Sequence, residues 1–349
     1  MFSIQDLLDS IDFIRKLTGV PFQDLYNILL RQGCTAGSEY LIRLAHLLIR
    51  LSHRSQVRVL ERFWAQSRPD MVVSLIPHYN RALKEALDRG WPGTPFVTLL
   101  TDIADYPPHF WIERQDQYVI CGSERAVAQA RELGIPPDRI LQTSGMIVHP
   151  KFYEPLKLNR DAERARLGLR PDLLTGLVLF GGEGSTEMVY IAQALNRAES
   201  PVQLILLCGK NQEVMSELRA MDLRIPMFIE GVTRDVPSYM ELSDFFVGKP
   251  GPGSISEALV KGLPVVVQRN AWTMAHERYN ADWIAEQGVG LVVRSFSHEI
   301  CAAVRTLLVG EEYSRFRKRV ESIRNVAVYE IPDLLENILS RRSANAKTN

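Results

Sequence analysis

From Pro69 onward, short apolar runs alternate with stretches of helical periodicity. MVVSLI (71–76), PFVTLL (95–100) and QYVICG (117–122) are β-rich runs of strand length with helical stretches between them, the pattern of a parallel sheet. The second half is more regular. LVLFGG (177–182), VQLILLCG (202–209), IPMFIEG (225–231), DFFVGK (244–249), LPVVVQ (263–268) and GLVV (290–293) alternate with helical stretches over 185–198, 211–222, 253–262 and 275–287. These runs are apolar at every position, as expected of strands covered on both faces. An alternation this long predicts a doubly wound open α/β sheet.

Two stretches depart from the pattern. Residues 134–160 hold Pro136, Pro137, Pro150 and Pro155 and read as a crossover or linker, so one domain is expected over 1–155 and a second over 156–340, with 341–349 a polar tail. The first 68 residues read as helices with no clear strand. Tyr40, Leu41, Leu44, Leu47, Leu48 and Leu51 recur near helical spacing, while Arg43, Arg50, Arg54, Arg58 and Arg62 are opposed only by Glu39 and Glu61. That face is either a solvated basic surface above a core-facing helix or a surface attracted to anionic lipid head groups.

Composition narrows the function classes. A chain of 349 residues with 46% hydrophobic and 23% charged residues is long enough for about two domains and is not wholesale disordered. Lys+Arg and Asp+Glu balance at 41 each, against the basic surface of a general nucleic-acid binder. No run reaches the ~18 apolar residues of a membrane span, and MFSIQDLLDS lacks a secretion-signal pattern. Cys34, Cys121, Cys208 and Cys301 are far apart, so neither a zinc ribbon nor a redox dithiol is expected, and a reducing cytoplasmic setting is. Cys121 and Cys208 each end an apolar run, where cysteine behaves as a small buried hydrophobe.

In an open α/β sheet ligands sit beyond the carboxyl ends of the strands, and the glycines fall there. LVLF is followed by Gly181, Gly182, Glu183, Gly184 and Ser185; LILLC by Gly209, Lys210 and Asn211; MFIE by Gly231 and Val232. DFFVG leads into Lys249-Pro250-Gly251-Pro252-Gly253-Ser254 and then Glu257. Glycine lets backbone approach a ligand, and a helix start offers N–H groups and a positive dipole end to phosphate. Ser254 is a natural N-cap; Glu257, one turn later, is either the acid of a capping box or a partner for a ribose diol. GxxxxGK[ST] is absent, and GGEGS does not fit GxGxxG, so a P-loop NTPase and a Rossmann dehydrogenase are both disfavoured.

Lys249-Pro-Gly-Pro-Gly-Ser-Ile-Ser-Glu-Ala-Leu, then Gly262-Leu-Pro and His276-Glu277-Arg278-Tyr279-Asn280, resembles the nucleotide-binding half of GT-B glycosyltransferases, most closely the diacylglycerol galactosyl- and glucosyltransferases. Pro69-Asp70, Thr101-Asp102, Phe110-Trp111, Cys121-Gly122-Ser123-Glu124 and Gly145-Met-Ile-Val-His-Pro150 extend the likeness over about 69–340. The resemblance implies two Rossmann-type parallel-sheet domains facing a cleft, the N-terminal one incomplete. It implies transfer of a hexose, galactose or glucose, from a UDP-sugar to a lipid such as diacylglycerol, by a cytoplasmic protein peripheral to the membrane.

The resemblance assigns Ser254 and the loop amides to the diphosphate, Glu257 to the ribose, Glu277 and Asn280 to sugar hydroxyls, and the Gly231-Val232 amides to uracil. His276 stands where that family has glutamine. The resemblance implies no cofactor beyond the donor and no metal, and no DxD motif occurs.

The beginning departs from the family, whose opening strand and Gly-rich, His-containing loop are missing. The His expected after Thr101-Asp102 is displaced too, with Tyr106-Pro107-Pro108 in its region and His109 shifted. Asp102 is then the candidate base, or else the cap of a turn after a strand. Three explanations stand beside each other: an incomplete gene start, a second chain supplying the missing part, or a nucleotide-sugar binder without efficient transfer. A sugar-nucleotide epimerase on the same two-domain fold is a further alternative.

Overall fold

A computed structural model describes residues 49–155, 159–308 and 310–348. The expected helices of residues 1–48 lie outside the described residues. The chain divides into two compact units. The first runs to Met146 and adds Met274–His276 and Val326 onward; the second is Ile147–Thr273 with Glu277–Asn325.

In the second unit, β5 (Leu174–Leu179), β6 (Val202–Leu207), β7 (Met227–Glu230), β8 (Phe245–Gly248), β9 (Val265–Gln268) and β10 (Gly290–Val293) form one parallel sheet in the order β10-β9-β8-β5-β6-β7. Counted from β5, this is the doubly wound order whose direction of progression reverses between its first and fourth strands, here β5 and β8. Register is set by burial on both faces. Val178, Leu204, Leu206, Phe245 and Val247 pack beneath α5 (Glu187–Arg197) and α10 (Phe296–Leu308). Their neighbours Leu177, Ile205, Leu207 and Phe246 pack on the other side against α8 (Pro252–Val260) and α9 (Arg278–Gln287). A one-residue slip would exchange these two sets. The sequence places β5 at 177–182; it forms three residues earlier, and Gly181, at φ 79°, lies beyond its end.

A charged knot closes the opposite edge of this sheet. Arg164, from α4 (Arg160–Arg166), has a side chain 3% exposed and donates to Asp244 Oδ2 (2.7 Å) and to the carbonyls of Leu242, Pro171 and Leu173. Asp244 also accepts from Thr175 N (2.7 Å) and Arg160 (2.8 Å), so both buried charges are fully hydrogen-bonded.

The first unit carries a parallel sheet in the order β1 (Val72–Ser74), β2 (Phe96–Leu99), β3 (Tyr118–Cys121), β4 (Ile140–Gln142). Helices α1 (His53–Gln66) and α2 (Asn80–Gly90) bury Val57, Leu60, Trp64, Leu83 and Leu87 against Val72 and Phe96; α3 (Glu124–Glu132) covers Val119 and Cys121. Strand β4 falls inside the stretch that its prolines mark as a linker. Pro136 and Pro137 only shape the turn before this edge strand. The division between units falls at Met146/Ile147 rather than 155/156, and α12 (Ala327–Thr348) returns to the first unit, tied there by Glu330 to Ser144 N (2.7 Å). Among the described residues no helix is long and apolar enough to cross a membrane.

Candidate functional site

Four glycine-bearing loops leave the carboxyl ends of β5, β6, β7 and β8, and they enclose a cleft of about 440 Å³ at the point where strand order reverses. The loops after β5 and β6 are fastened to each other through glycine. Gly209 sits at φ 58°, and a Cβ there would fall 2.2 Å from Gly182 O, while Lys210 N donates to that same oxygen at 2.9 Å. Gly184, at φ 64°, comes nearly as close to the Cys208 carbonyl, with 2.4 Å from its would-be Cβ.

The loop after β8 forms the opposite wall. Pro252 opens α8, so the helix is capped by Gly251, and Ser254 is its third residue. Ser254 is therefore not the N-cap expected from sequence; its hydroxyl donates back to Gly251 O at 3.3 Å. The amides of Gly253 and Ser254 have no carbonyl one turn back within the helix, so they and the helix dipole are available to an anion. A Cβ on Gly253 would meet nothing within 4 Å, which marks the open side of the wall.

Glu257 lies too far into α8 for a capping-box acid, which belongs at the third helical residue. Its carboxyl lines the cleft and makes no hydrogen bond or ion pair among the described residues, and burial pushes its pKa up to about 7. Glu277, its side chain only 6% exposed, is charge-paired to Lys249 Nζ at 2.8 Å across the cleft floor. Lys210 pairs with Glu183 at 3.0 Å at the mouth, an exposed pair of little energetic weight.

The structure brings together Gly181, Gly182, Gly209, Lys210, Gly231, Val232, Lys249, Gly251, Pro252, Gly253, Ser254, Glu257 and Glu277 around this cleft. It adds Leu179, Leu207, Thr233 and Val236, which sequence reasoning missed. Leu179 and Leu207 end strands, and Thr233 and Val236 follow the glycine of their loop, so position after a strand is the available signal.

Five expected residues do not line it. Gly184 packs the loops, and Ser185 Oγ accepts from Glu187 N (3.2 Å). Asn211 caps α6 (Gln212–Arg219) by accepting from Val214 N (3.0 Å). Asn280, 1% exposed, donates to Pro250 O at 2.8 Å and so props the β8 loop from behind. His276 belongs to the first unit, where its ring stacks on Phe110 with centroids 5.6 Å apart. The Gly231 amide, expected to meet a base, donates to Glu230 Oε1 (2.8 Å).

Asp102, the candidate base, lies in the first unit. It is 7% exposed and accepts from Trp111 Nε1 at 2.8 Å, which anchors the 105–111 loop. Asp105 anchors the same loop through Trp111 N (2.6 Å) and His109 N (3.2 Å), and burial raises its pKa to about 6. Burial also pushes the Cys121 and Cys208 thiols to about 12 and about 11, as inert core groups. Among the described residues no cluster of His, Cys, Asp and Glu is arranged to hold a metal.

Known proteins resemble this chain in sequence and in fold. Residues 177–322 match the family description "Glycosyltransferase family 28 C-terminal domain". The chain is 26% identical over 295 residues to monogalactosyldiacylglycerol synthase 1 of Arabidopsis thaliana, covering 79% of this chain and 54% of that protein. It is 30% identical over 234 residues to a probable monogalactosyldiacylglycerol synthase 2 of rice, covering 64% of this chain and 48% of that protein. The chain thus spans about half the length of the curated relatives it matches.

Among solved structures, a co-structure of S. aureus MnaA with UDP superposes with a TM-score of 0.60 at 17% identity, over 84% of this chain and 82% of that one. The calicheamicin glycosyltransferase CalG4 superposes with a TM-score of 0.59 at 17% identity, over 87% of this chain and 81% of that one. MurG of Acinetobacter baumannii does so at 0.58 and 15% identity, over 80% and 77%. At these identities the likeness is one of fold. Two all-parallel α/β sheets and the likeness to these structures show a GT-B-like fold, and within it residues 177–322 are similar to the glycosyltransferase family 28 C-terminal domain.

Proposed function

We propose that this chain is a hexosyltransferase that moves galactose or glucose from a UDP-sugar to a lipid hydroxyl, such as that of diacylglycerol, working peripherally at a membrane surface. The observation that carries the donor half is the cleft itself: free helix-start amides on one wall and a half-buried, unpartnered carboxyl one turn further on. The diphosphate lies against the Gly253 and Ser254 amides, whose alignment with the developing charge of the leaving group requires no reorganisation as the sugar departs. Glu257 accepts from the ribose hydroxyls, an interaction that favours its ionised form. Lys249 holds Glu277 in place, and Asn280 holds the loop that carries Lys249.

The acceptor half is supported by the relatives' names, which are those of diacylglycerol-glycosylating enzymes. Cytoplasmic placement belongs to the same proposal. Calorimetry with UDP tests the donor half. Transfer from UDP-galactose and UDP-glucose into diacylglycerol-containing vesicles tests the whole. UDP binding without transfer supports a nucleotide-sugar binder or a protein that needs a second chain, while isomerised UDP-sugar in the absence of acceptor supports an epimerase.

A further inference from the structure

The resemblance gives the nucleobase to the main-chain amides of Gly231 and Val232, but in the structure the first of these is already committed. Gly231 N donates to Glu230 Oε1 at 2.8 Å, and a neutral base carbonyl is a weaker acceptor than the carboxylate it would have to displace. Recognition of the base in this chain therefore falls to other groups of the second unit.

The sheet order says where to look. Gly253, Ser254 and Glu257, the partners of the diphosphate and ribose, all stand on the β8 side of the cleft. Strand β7 lies three strands away in the order β8-β5-β6-β7, roughly 14 Å at about 4.8 Å per strand, so the base falls among Gly231, Val232, Thr233 and Val236. Two hydrogen-bond donors remain there. Val232 is 71% exposed, and its N–H has no acceptor among the described residues. Thr233 is half-buried in the cleft wall, and its Oγ1 accepts from Asp235 N at 3.0 Å. That bond holds the hydroxyl by its oxygen. The hydroxyl proton has no acceptor among the described residues and is left to be donated.

An edge that donates selects a base that accepts. Uracil carries a carbonyl oxygen at the position where cytosine carries an amino group. A main-chain N–H cannot reverse its sense, so an amino group set against it leaves both donors unsatisfied.

We propose that Thr233 selects the nucleobase, its hydroxyl donating to a carbonyl oxygen such as O4 of uracil with the Val232 N–H beside it, while Glu230 keeps the Gly231 amide out of this readout. The proposal rests on the reading of the cleft as a UDP-sugar site and adds the side chain that makes it prefer uridine to cytidine.

Calorimetry with UDP and CDP tests it. The parent should bind UDP at least tenfold more tightly than CDP. Thr233→Val keeps the shape and removes the hydroxyl, and should weaken UDP about tenfold while leaving CDP within about twofold, as for one lost hydrogen bond. Thr233→Ser keeps the hydroxyl and should keep the preference. Glu230→Ala should leave the ratio of the two affinities within about twofold of the parent. Equal weakening of UDP and CDP in Thr233→Val, as a merely structural role requires, overturns the proposal. So does a parent that binds both alike, a loss of preference in Thr233→Ser, or a preference that rises several-fold in Glu230→Ala and so returns the readout to the Gly231 amide. A parent that binds neither nucleotide overturns the UDP-sugar reading of the cleft as well.

Discussion

Replacing Glu257 by Gln tests the donor site through two observables with opposite expectations. Burial raises the carboxyl to about 7 from an ordinary 4.5, so between those values the folded chain binds more protons than the unfolded one. Stability at this position is therefore fully present below pH 4.5 and is lost as pH rises through 7. At about 1.4 kcal/mol per pH unit, the span corresponds to about 3 kcal/mol. Gln carries no titrating proton, so urea unfolding at pH 4.5 and pH 8 should show the parent losing about 3 kcal/mol relative to Glu257→Gln.

UDP should reverse the ranking. The ionised carboxyl accepts charge-assisted hydrogen bonds from the ribose, and Gln should weaken UDP binding at pH 8 by about 1–3 kcal/mol by calorimetry. Parallel stability curves together with equal UDP affinity would refute the placement of Glu257 in the site.

Gly209→Ala, whose Cβ would fall 2.2 Å from Gly182 O at positive φ, should lower stability by more than about 2 kcal/mol and abolish UDP binding, read by thermal melting and calorimetry. Asn280→Ala removes the 2.8 Å bond to Pro250 O and should weaken UDP binding about fivefold although the side chain does not line the cleft; unchanged affinity would leave the loop without need of this prop. Arg164→Met leaves the Asp244 carboxylate and its neighbours short of a buried partner, and should cost about 3–5 kcal/mol in urea unfolding with little effect on UDP affinity in the protein that remains folded.

The second unit is the more legible because its strands are covered on both faces and read as unbroken apolar runs. The glycines that follow them mark the cleft directly, since only backbone without a Cβ lets the loops after β5 and β6 approach to 2.9 Å. Side-chain roles are less legible. Asn211, Ser185 and Asn280 are polar residues beside a ligand cleft, yet each is used by the backbone: one as a cap, one in a turn, one under a proline carbonyl. Sequence spacing does not tell which way such a residue faces. Ser254 is displaced from the cap by Pro252, whose fixed φ starts the helix one residue after Gly251. Strand β4 and the short helix Val236–Glu241 escape a reading by pattern because proline dominates their neighbourhoods. Asp102 illustrates the same limit in the first unit: its partner Trp111 is nine positions away, across a loop no periodicity describes.

The return of α12 to the first unit makes the second unit, in effect, an insertion within the first. A nascent chain can close the β5–β10 sheet as soon as its own residues emerge. The first unit gains its contacts with α12 only after the second has been made, where Glu330 meets Ser144 and Arg342 meets the Asp70 carbonyl at 2.6 Å. A stop shortly after Asn325 would therefore leave the second unit's residues and its cleft whole while removing the contacts that Glu330 and Arg342 make in the first.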